Sequence, residues 1–398
     1  MKYVDEYRDG KLARKIAGKI RDEVRPGKSY RFMEFCGGHT HAIARYGLED
    51  LLPPNVHMIH GPGCPVCVLP VGRMDDAIRL ARRPDITLCT YADLMRVPSS
   101  DGMSLLKAKA AGADIRMVYS TLDALRIARA EPERKVVFFA IGFETTTPPT
   151  ALALLNARSQ GLKNFFVFCN HVLTPAAISA LVGDPKAAAS VPLDGFVGPA
   201  HVSTVIGTKP YAEFAENYGK AVVIAGFEPL DVMQAILMLV RQINEGRHEI
   251  ENEYIRAVTP EGNVKAQDVV AKVFELREAF EWRGLGAVPF SALKLREEFA
   301  AFDAEKVFDI HTVAAQDNPA CECGAILRGE KKPVDCKLFG TVCTPDNPMG
   351  SCMVSSEGSC AAHWTYGRFR DAGAAREKVD ASFSQKRLAN QKAERQAS

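Results

Sequence analysis

The sequence predicts an α/β protein: two doubly wound, Rossmann-like parallel-sheet domains followed by a helical, cysteine-rich domain. Three observations predict it. From about Tyr30 to Asn244, continuous apolar strands alternate with short loops rich in Gly, Pro or Thr and then with helices, the pattern of parallel sheets covered on both faces. After Asn244 the spacing of apolar residues turns helical and amphipathic. Six of the eleven cysteines then fall between positions 321 and 360. A chain of 398 residues is too long for one compact core. The expected divisions are 1–130, 131–245 and 246–398, with a soft first boundary in "ARAEPERK", residues 128–135. A barrel is the rival architecture, but it would need eight regular units.

The elements follow in order. "MKYVDEYRDGKLARKIAGKIRDEV" reads as a charged helix without a signal-peptide core. "YRFMEF" leads through "CGGHTH" into "AIARYGLEDLL", and "NVHMIH" leads through "GPGCPVCVLPVGR" into "MDDAIRLARR". "DITLCT" precedes "YADLMRV", and "DIRMVYS" precedes "TLDALRIARA". The series continues with "KVVFFAIGFETTTPPTALALLNA" and "KNFFVFCNHVLTPAAISALVG", and it ends with "GKAVVIAGFEPLDVMQAILMLVRQINEG". Beyond it, "VKAQDVVAKVFELREAFEWRG" and "PFSALKLREEFAAFDAEKVF" read as two amphipathic helices, and the chain closes on a charged tail.

Composition excludes several function classes. Net charge is +2, from 50 basic and 48 acidic residues, so there is no basic field for nucleic acid. The longest apolar runs are strand-length and too short to cross a bilayer. A reducing, cytoplasmic setting is expected, where dense cysteines are metal ligands or redox pairs rather than structural staples.

Open α/β sheets bind ligands at the carboxyl ends of their strands. The first such loop offers Cys36, His39 and His41, with Gly37 and Gly38 letting the backbone approach a ligand. A thiol at a helix N-terminus is expected to have a lowered pKa, suiting Cys36 to soft-metal ligation or nucleophilic attack. The alternative is a buried cysteine with histidines that merely cap. The second loop holds Cys64 and Cys67 as C-x-x-C beside a βα unit, a redox pair or soft-metal clamp, with structural zinc as the alternative. His60 is the better placed of its flanking histidines to tune it. In the third loop, Glu144, Thr145 and Thr146 suit either N-capping or a polar role toward a ligand or partner. "GFEPLD" echoes it with Glu228 and Asp231. Asn170, His171 and His201 are expected in structural roles, and Cys89 and Cys169 as plain buried thiols.

The C-terminal cysteines are spaced Cys321-x1-Cys323-x12-Cys336-x6-Cys343-x8-Cys352-x7-Cys360. A cubane iron–sulfur cluster or a closed zinc site takes four thiolates, leaving two. Structural zinc usually draws on closely paired knuckles, so these dispersed spacings favour an iron–sulfur cluster. The extra two could form a disulfide beside it, converting single electrons into two-electron thiol chemistry.

"FMEFCGGHTHAI", "GPGCPVCVLP", "GFETTTP" and "CECGAILRG…DCKLFGTVCTP…GSCMVSSEGSCAAH" together resemble the HypD family, which acts in [NiFe]-hydrogenase maturation. The resemblance implies a [4Fe-4S] cluster on Cys321, Cys336, Cys343 and Cys360, and a redox pair of Cys323 and Cys352 beside it. It implies that Cys36, His39, Cys64 and Cys67 surround an iron being built into Fe(CN)2CO. The implied partners are a HypC-type small chaperone, a HypE-type cyanide donor and, through the chaperone, the hydrogenase large subunit. The protein is then expected to be an assembly scaffold with its own thiol redox activity, not a small-molecule turnover enzyme. Electrons are expected to pass from the cluster through Cys323–Cys352 and Cys64–Cys67 to the iron. Two other classes stand beside it: an iron–sulfur-dependent disulfide reductase like ferredoxin:thioredoxin reductase, and a zinc-stabilised binding module.

Overall fold

Nine strands build two parallel sheets, but not in chain order; seven come from the apolar runs named above, and Gly195–Pro199 and Ile250–Asn252 are additions. Residues 5–313 and 315–368 are described by the structure, a computed structural model. The first sheet contains β1 (Tyr30–Glu34), β2 (Val56–His60), β7 (Gly195–Pro199), β8 (Ala221–Ala225) and β9 (Ile250–Asn252), in the order β2-β1-β7-β8-β9. The second contains β3 (Ile86–Thr90), β4 (Ile115–Met117), β5 (Lys135–Gly142) and β6 (Phe165–His171), in the order β4-β3-β5-β6. Every pairing in both sheets is parallel. The second sheet thus lies, in sequence, between the two parts of the first. A boundary near residue 130 would cut the four-stranded sheet between β4 and β5. The expectation of consecutive sheets fails because β1 pairs with β7, placing Phe32 opposite Gly195.

Each sheet reverses its winding direction once, between β1 and β7 and between β3 and β5. Those reversals open crevices at the strands' carboxyl ends. Strand β5 is buried from Val136 to Gly142, which explains its unbroken apolar run. The charged N-terminal segment forms helix α1 (Gly10–Glu23), started by the Asp9 side chain accepting from Lys11 N at 2.7 Å. It buries Ala13, Ala17 and Ile20. Among the described residues, no helix is long and apolar enough to cross a membrane.

The C-terminal third corrects the sequence expectation. The first predicted amphipathic helix stops at Val273 and continues as β10 (Phe274–Leu276) and β11 (Ala279–Trp282). The second begins on the last residue of β12 (Gly286–Pro289) and holds β13 (Leu293–Leu295) and short helical turns. Strand β11 alternates exposed and buried, with Phe280 and Trp282 inward. That period of two overrides the helical reading. The cysteine region itself holds only helical turns of three to five residues between loops. It is not a separate helical body, because five of its cysteines share one apolar core with Leu88, Val137, Phe139 and Phe168 of the second sheet. The tail predicted from residue 371 onward lies outside the described residues.

Candidate metal and thiol site

Strand β1 ends at Glu34 and delivers Cys36 to the N-cap of helix α2 (Gly37–Tyr46), where its sulfur accepts from Gly38 N at 3.3 Å. The end of β7 delivers His201, whose Nδ1 lies 3.5 Å from Cys36 Sγ. The end of β8 supplies Phe227, which packs on the rings of both His39 and His201. All three come from strand ends at the β1/β7 reversal or one strand along from it. Cys36 is 4% exposed. Its thiol is pushed well above its ordinary pKa by burial and by the carboxylates of Glu357 and Glu34, over the opposing backbone N–H groups of Gly38 and His39. The expectation of a lowered pKa therefore fails in the protein alone. A bound cation is what would hold this sulfur as thiolate.

His39 is fully buried, and burial lowers its pKa, so the ring is neutral. Nε2 lies 3.1 Å and 2.9 Å from the carbonyl oxygens of Ala225 and Gly226, so it carries the proton. Nδ1 is buried without a hydrogen-bond partner. A neutral imidazole with one nitrogen tied to backbone oxygen and the other free is the arrangement of a metal ligand.

The second loop packs directly on the first. Gly37 N donates to Gly63 O at 3.0 Å and Gly61 N to Glu34 O at 2.9 Å. A Cβ on Gly63 would fall 2.2 Å from Cys36 N, so only glycine permits the approach. Cys64 caps the short helix α3 (Pro65–Val68) and is disulfide-bonded to Cys67. In that state neither sulfur is free to bind metal, and reduction must come first. Glu34 lies beneath both loops, fully buried. It accepts from Cys36 N at 2.8 Å, from the Thr40 hydroxyl, and from His60 Nδ1 at 2.7 Å. Burial works against a charged His60, but the bond and charge of Glu34 outweigh it and raise the pKa. His60 thus acts on the first loop through Glu34.

On its other side the second loop meets the cysteine region. Ser351 Oγ donates to Cys67 O at 3.1 Å, and Cys64 and Cys67 belong to the same core as Cys323, Cys336, Cys343, Cys352 and Cys360. Cys321 Sγ lies 3.3 Å from Cys323 Sγ, and the Cys323 thiol also interacts with those of Cys352 and Cys360. Cys343 lies within electrostatic reach of Cys321 and Cys336. A Cβ on Gly350 would fall 2.5 Å and 2.6 Å from the sulfurs of Cys321 and Cys323. Among the described residues, no three His, Cys, Asp or Glu side chains are gathered as a ready-made site for one metal ion. The thiols nonetheless fit an iron–sulfur cluster in type and number, because a cubane spreads its four ligands more widely than one ion does.

The third loop serves structure. Glu144 is buried and accepts from Thr174 N at 2.8 Å and Thr174 Oγ1 at 3.0 Å, starting the helix Thr174–Gly183. Burial pushes its pKa up to about 7. Thr146 Oγ1 donates to Phe143 O at 2.9 Å, and Thr145 is half-buried in the same turn. Glu228 is clamped by Arg8, with Nη2 at 2.7 Å from Oε1. Asp231 is fully buried and held by both oxygens on Arg256. His41 lies at the rim, its Nδ1 3.4 Å from Ser356 O. Cys89 and Cys169 are inert buried thiols, pushed up to about 12 by burial.

The family profile described as "HypD: Hydrogenase formation hypA family" matches residues 11–367. The chain belongs to the HypD family. The hydrogenase maturation factor HypD of Rhizobium leguminosarum bv. viciae is 73% identical over 373 residues, covering 93% of this chain and 97% of that protein. The corresponding factor of Cupriavidus necator is 67% identical over 93% of this chain and 98% of its own length. That of Escherichia coli K12 is 45% identical over 92% and 98%. Sequence reasoning about this family member missed Glu34, Glu357 and Phe227, and set His201 aside as structural. One signal was available: Glu34 is a carboxylate that directly follows the buried Phe32 and Met33 at the end of its strand.

Proposed function

We propose that this protein matures [NiFe]-hydrogenase, as the scaffold on which an iron is built into Fe(CN)2CO. Cys36 and His39 Nδ1 hold the iron substrate, joined by Cys64 or Cys67 once their disulfide is reduced. A HypC-type chaperone shares the iron, a HypE-type donor brings cyanide, and the finished unit passes to the hydrogenase large subunit. Cys321, Cys336, Cys343 and Cys360 would hold a [4Fe-4S] cluster. Such a cluster, when bound, supplies electrons one at a time. The residues' own step is thiol–disulfide exchange: a Cys323/Cys352 dithiol becomes a disulfide as Cys64–Cys67 becomes a dithiol, moving two electrons and two protons.

The observation that carries this reading is the position of the Cys64–Cys67 loop. Through Gly63 it touches Cys36, and through the Cys67 carbonyl it touches Ser351, the residue beside Cys352. Infrared spectroscopy of the protein copurified with its small partner tests it, because cyanide and carbonyl stretches fall where protein does not absorb. Cys64→Ala should lose those bands while keeping the visible absorption of the cluster. Normal bands in that variant would sink the exchange step. Parent protein with a cluster but no bands under any condition would favour the disulfide reductase.

A further inference from the structure

The end of β8 and the turn after it, residues 225–228, hold one wall of the candidate iron site. Ala225 O and Gly226 O accept from His39 Nε2 at 3.1 Å and 2.9 Å. The Phe227 ring stands 4.8 Å from that of His39 and 5.3 Å from that of His201, centre to centre. Phe227 also closes on the first loop, since a Cβ on Gly38 would fall 2.9 Å from its Cδ1 and Cε1. The position of this turn therefore decides how the His39 ring is held.

What holds the turn comes from two other parts of the chain. Asp231, in the first turn of the helix Pro229–Glu245, has Oδ2 3.4 Å from Glu228 N. A Cβ on Gly226 would fall 2.1 Å from that same oxygen and 2.5 Å from Tyr254 Cε2, so the turn is seated on a buried carboxylate and a tyrosine ring. Just past β9, Arg256 Nη2 donates to both oxygens of Asp231, at 2.8 Å and 2.6 Å. Arg256 Nη1 lies 3.9 Å from Oε1 of Glu253, a largely buried second carboxylate, so one cation answers both. A buried carboxylate that loses its cation is strongly destabilised where it stands. The guanidinium is fixed in turn by two aromatic rings, 3.8 Å from the centre of Tyr254 and 4.1 Å from that of Tyr7. Beside Tyr7, Arg8 grips Glu228 at the outer edge of the turn, with Nη2 2.7 Å from Oε1. The segment ahead of α1 thus reaches the turn by two contacts.

We propose that Arg256 is a positioning residue for the iron site: anchored on Tyr7 and Tyr254, it fixes Asp231 beneath the 226–228 turn, and the turn fixes the His39 ring through Nε2–H. Nδ1 is thereby kept as the nitrogen free for a metal, the usual service of the groups behind a ligating histidine. A planar guanidinium can lie against two rings and still bond a carboxylate by its edge, which a lysine ammonium does less well. The inference rests on the reading of His39 as an iron ligand, but not on the cluster or the thiol exchange.

The test uses the full-length protein with isotope-labelled histidine and no added iron, its His39 ring signals assigned by their loss in His39→Gln. Nuclear magnetic resonance then reads the exchange of the His39 Nε2–H with water, which should be slow in the parent. Arg256→Met should speed it about tenfold, as expected when one local hydrogen bond is given up. The backbone amides of β5, in the other sheet, should keep parental protection. Arg256→Lys, which keeps the charge on Asp231, should recover most of the protection at His39. Tyr7→Leu removes one ring, leaves the Asp231 pair in place and should speed the exchange severalfold. This variant also covers the case in which Arg256→Met does not fold. Parental exchange at His39 in Tyr7→Leu, together with parental exchange or no folding in Arg256→Met, overturns the proposal. Equal acceleration at His39 and in β5 overturns it too, as does an Arg256→Lys protein no better protected than Arg256→Met. Ferrous iron bound by the reduced parent and by reduced His39→Gln is measured alongside. Equal binding counts against His39 as a ligand and leaves the hold on its ring standing on its own.

Discussion

Gly63→Ala isolates the contact between the two loops that would share the iron. Gly63 does not adopt a left-handed backbone conformation, so the added methyl is opposed by space alone. It would fall 2.2 Å from Cys36 N, 2.4 Å from Phe35 C and 2.5 Å from Cys36 Cα. All three are backbone atoms that no rotamer change can move aside. Ordinary contact requires the loops to part by about 1 Å. Overpacking of this kind costs roughly 1–3 kcal/mol. Stretching the Gly37 N to Gly63 O hydrogen bond, 3.0 Å in the structure, adds about 1 kcal/mol. A displacement of about 1 Å between reacting groups can also cost on the order of 100-fold in rate. Urea unfolding should show a loss of roughly 2–4 kcal/mol, and infrared bands of iron-bound cyanide and carbonyl should nearly vanish. Gly18→Ala is the control, because nothing lies within 4 Å of a Cβ there in the middle of α1. It should be neutral or stabilising by up to about 1 kcal/mol. A Gly63→Ala protein with parental stability and full bands would refute the claim that loop contact builds the iron site.

Gly350→Ala pushes a methyl onto the sulfurs of Cys321 and Cys323, so iron and sulfide per chain should fall severalfold while circular dichroism stays parental. Glu34→Gln removes the buried charge that Cys36 N, Thr40 and His60 share, at a cost of at least about 2 kcal/mol. Because His60 has a raised pKa in the folded protein, its stabilising share is complete below about pH 6.5 and is lost as pH rises through the folded value. That share of the pH dependence should disappear in Glu34→Gln, as read by denaturation at several pH values; an unchanged profile would show that Glu34 does not hold the proton there. His39→Gln keeps a donor for the Ala225 and Gly226 carbonyls but loses the free Nδ1. It should fold with near-parental stability yet bind no iron at Cys36, and parental infrared bands would remove His39 from the ligand set.

Much of the candidate site was legible because its chemistry sits in contiguous loops. Cys36 with His39, and Cys64 with Cys67, follow apolar strands, and strand ends are where open sheets bind ligands. The reading failed where local pattern was ambiguous. "FELREAFEW" carries both helical and alternating spacing, and only burial of Phe280 and Trp282 against the core selects a hairpin. Glu144 and Glu228 stayed open between capping and a ligand or partner role because their partners, Thr174 and Arg8, are remote in sequence. The pKa of Cys36 was misjudged for a similar reason. The helix terminus is local, but the burial that chiefly raises this thiol, and the carboxylate of Glu357 that adds to it, come from packing against distant parts of the chain.

The α/β class, the strand-end position of the candidate soft ligands and the family are written in the amino-acid sequence alone. Each depends on residue types at short, regular spacing. Only the tertiary structure decided that β1 lies beside β7, which sets His201 against Cys36, and that the Cys64–Cys67 loop is shared between Cys36 and the C-terminal cysteines. The physical reason is that parallel sheets join strands across long crossovers. Neighbours in space are then set by which apolar faces pack together, and no local spacing records that choice.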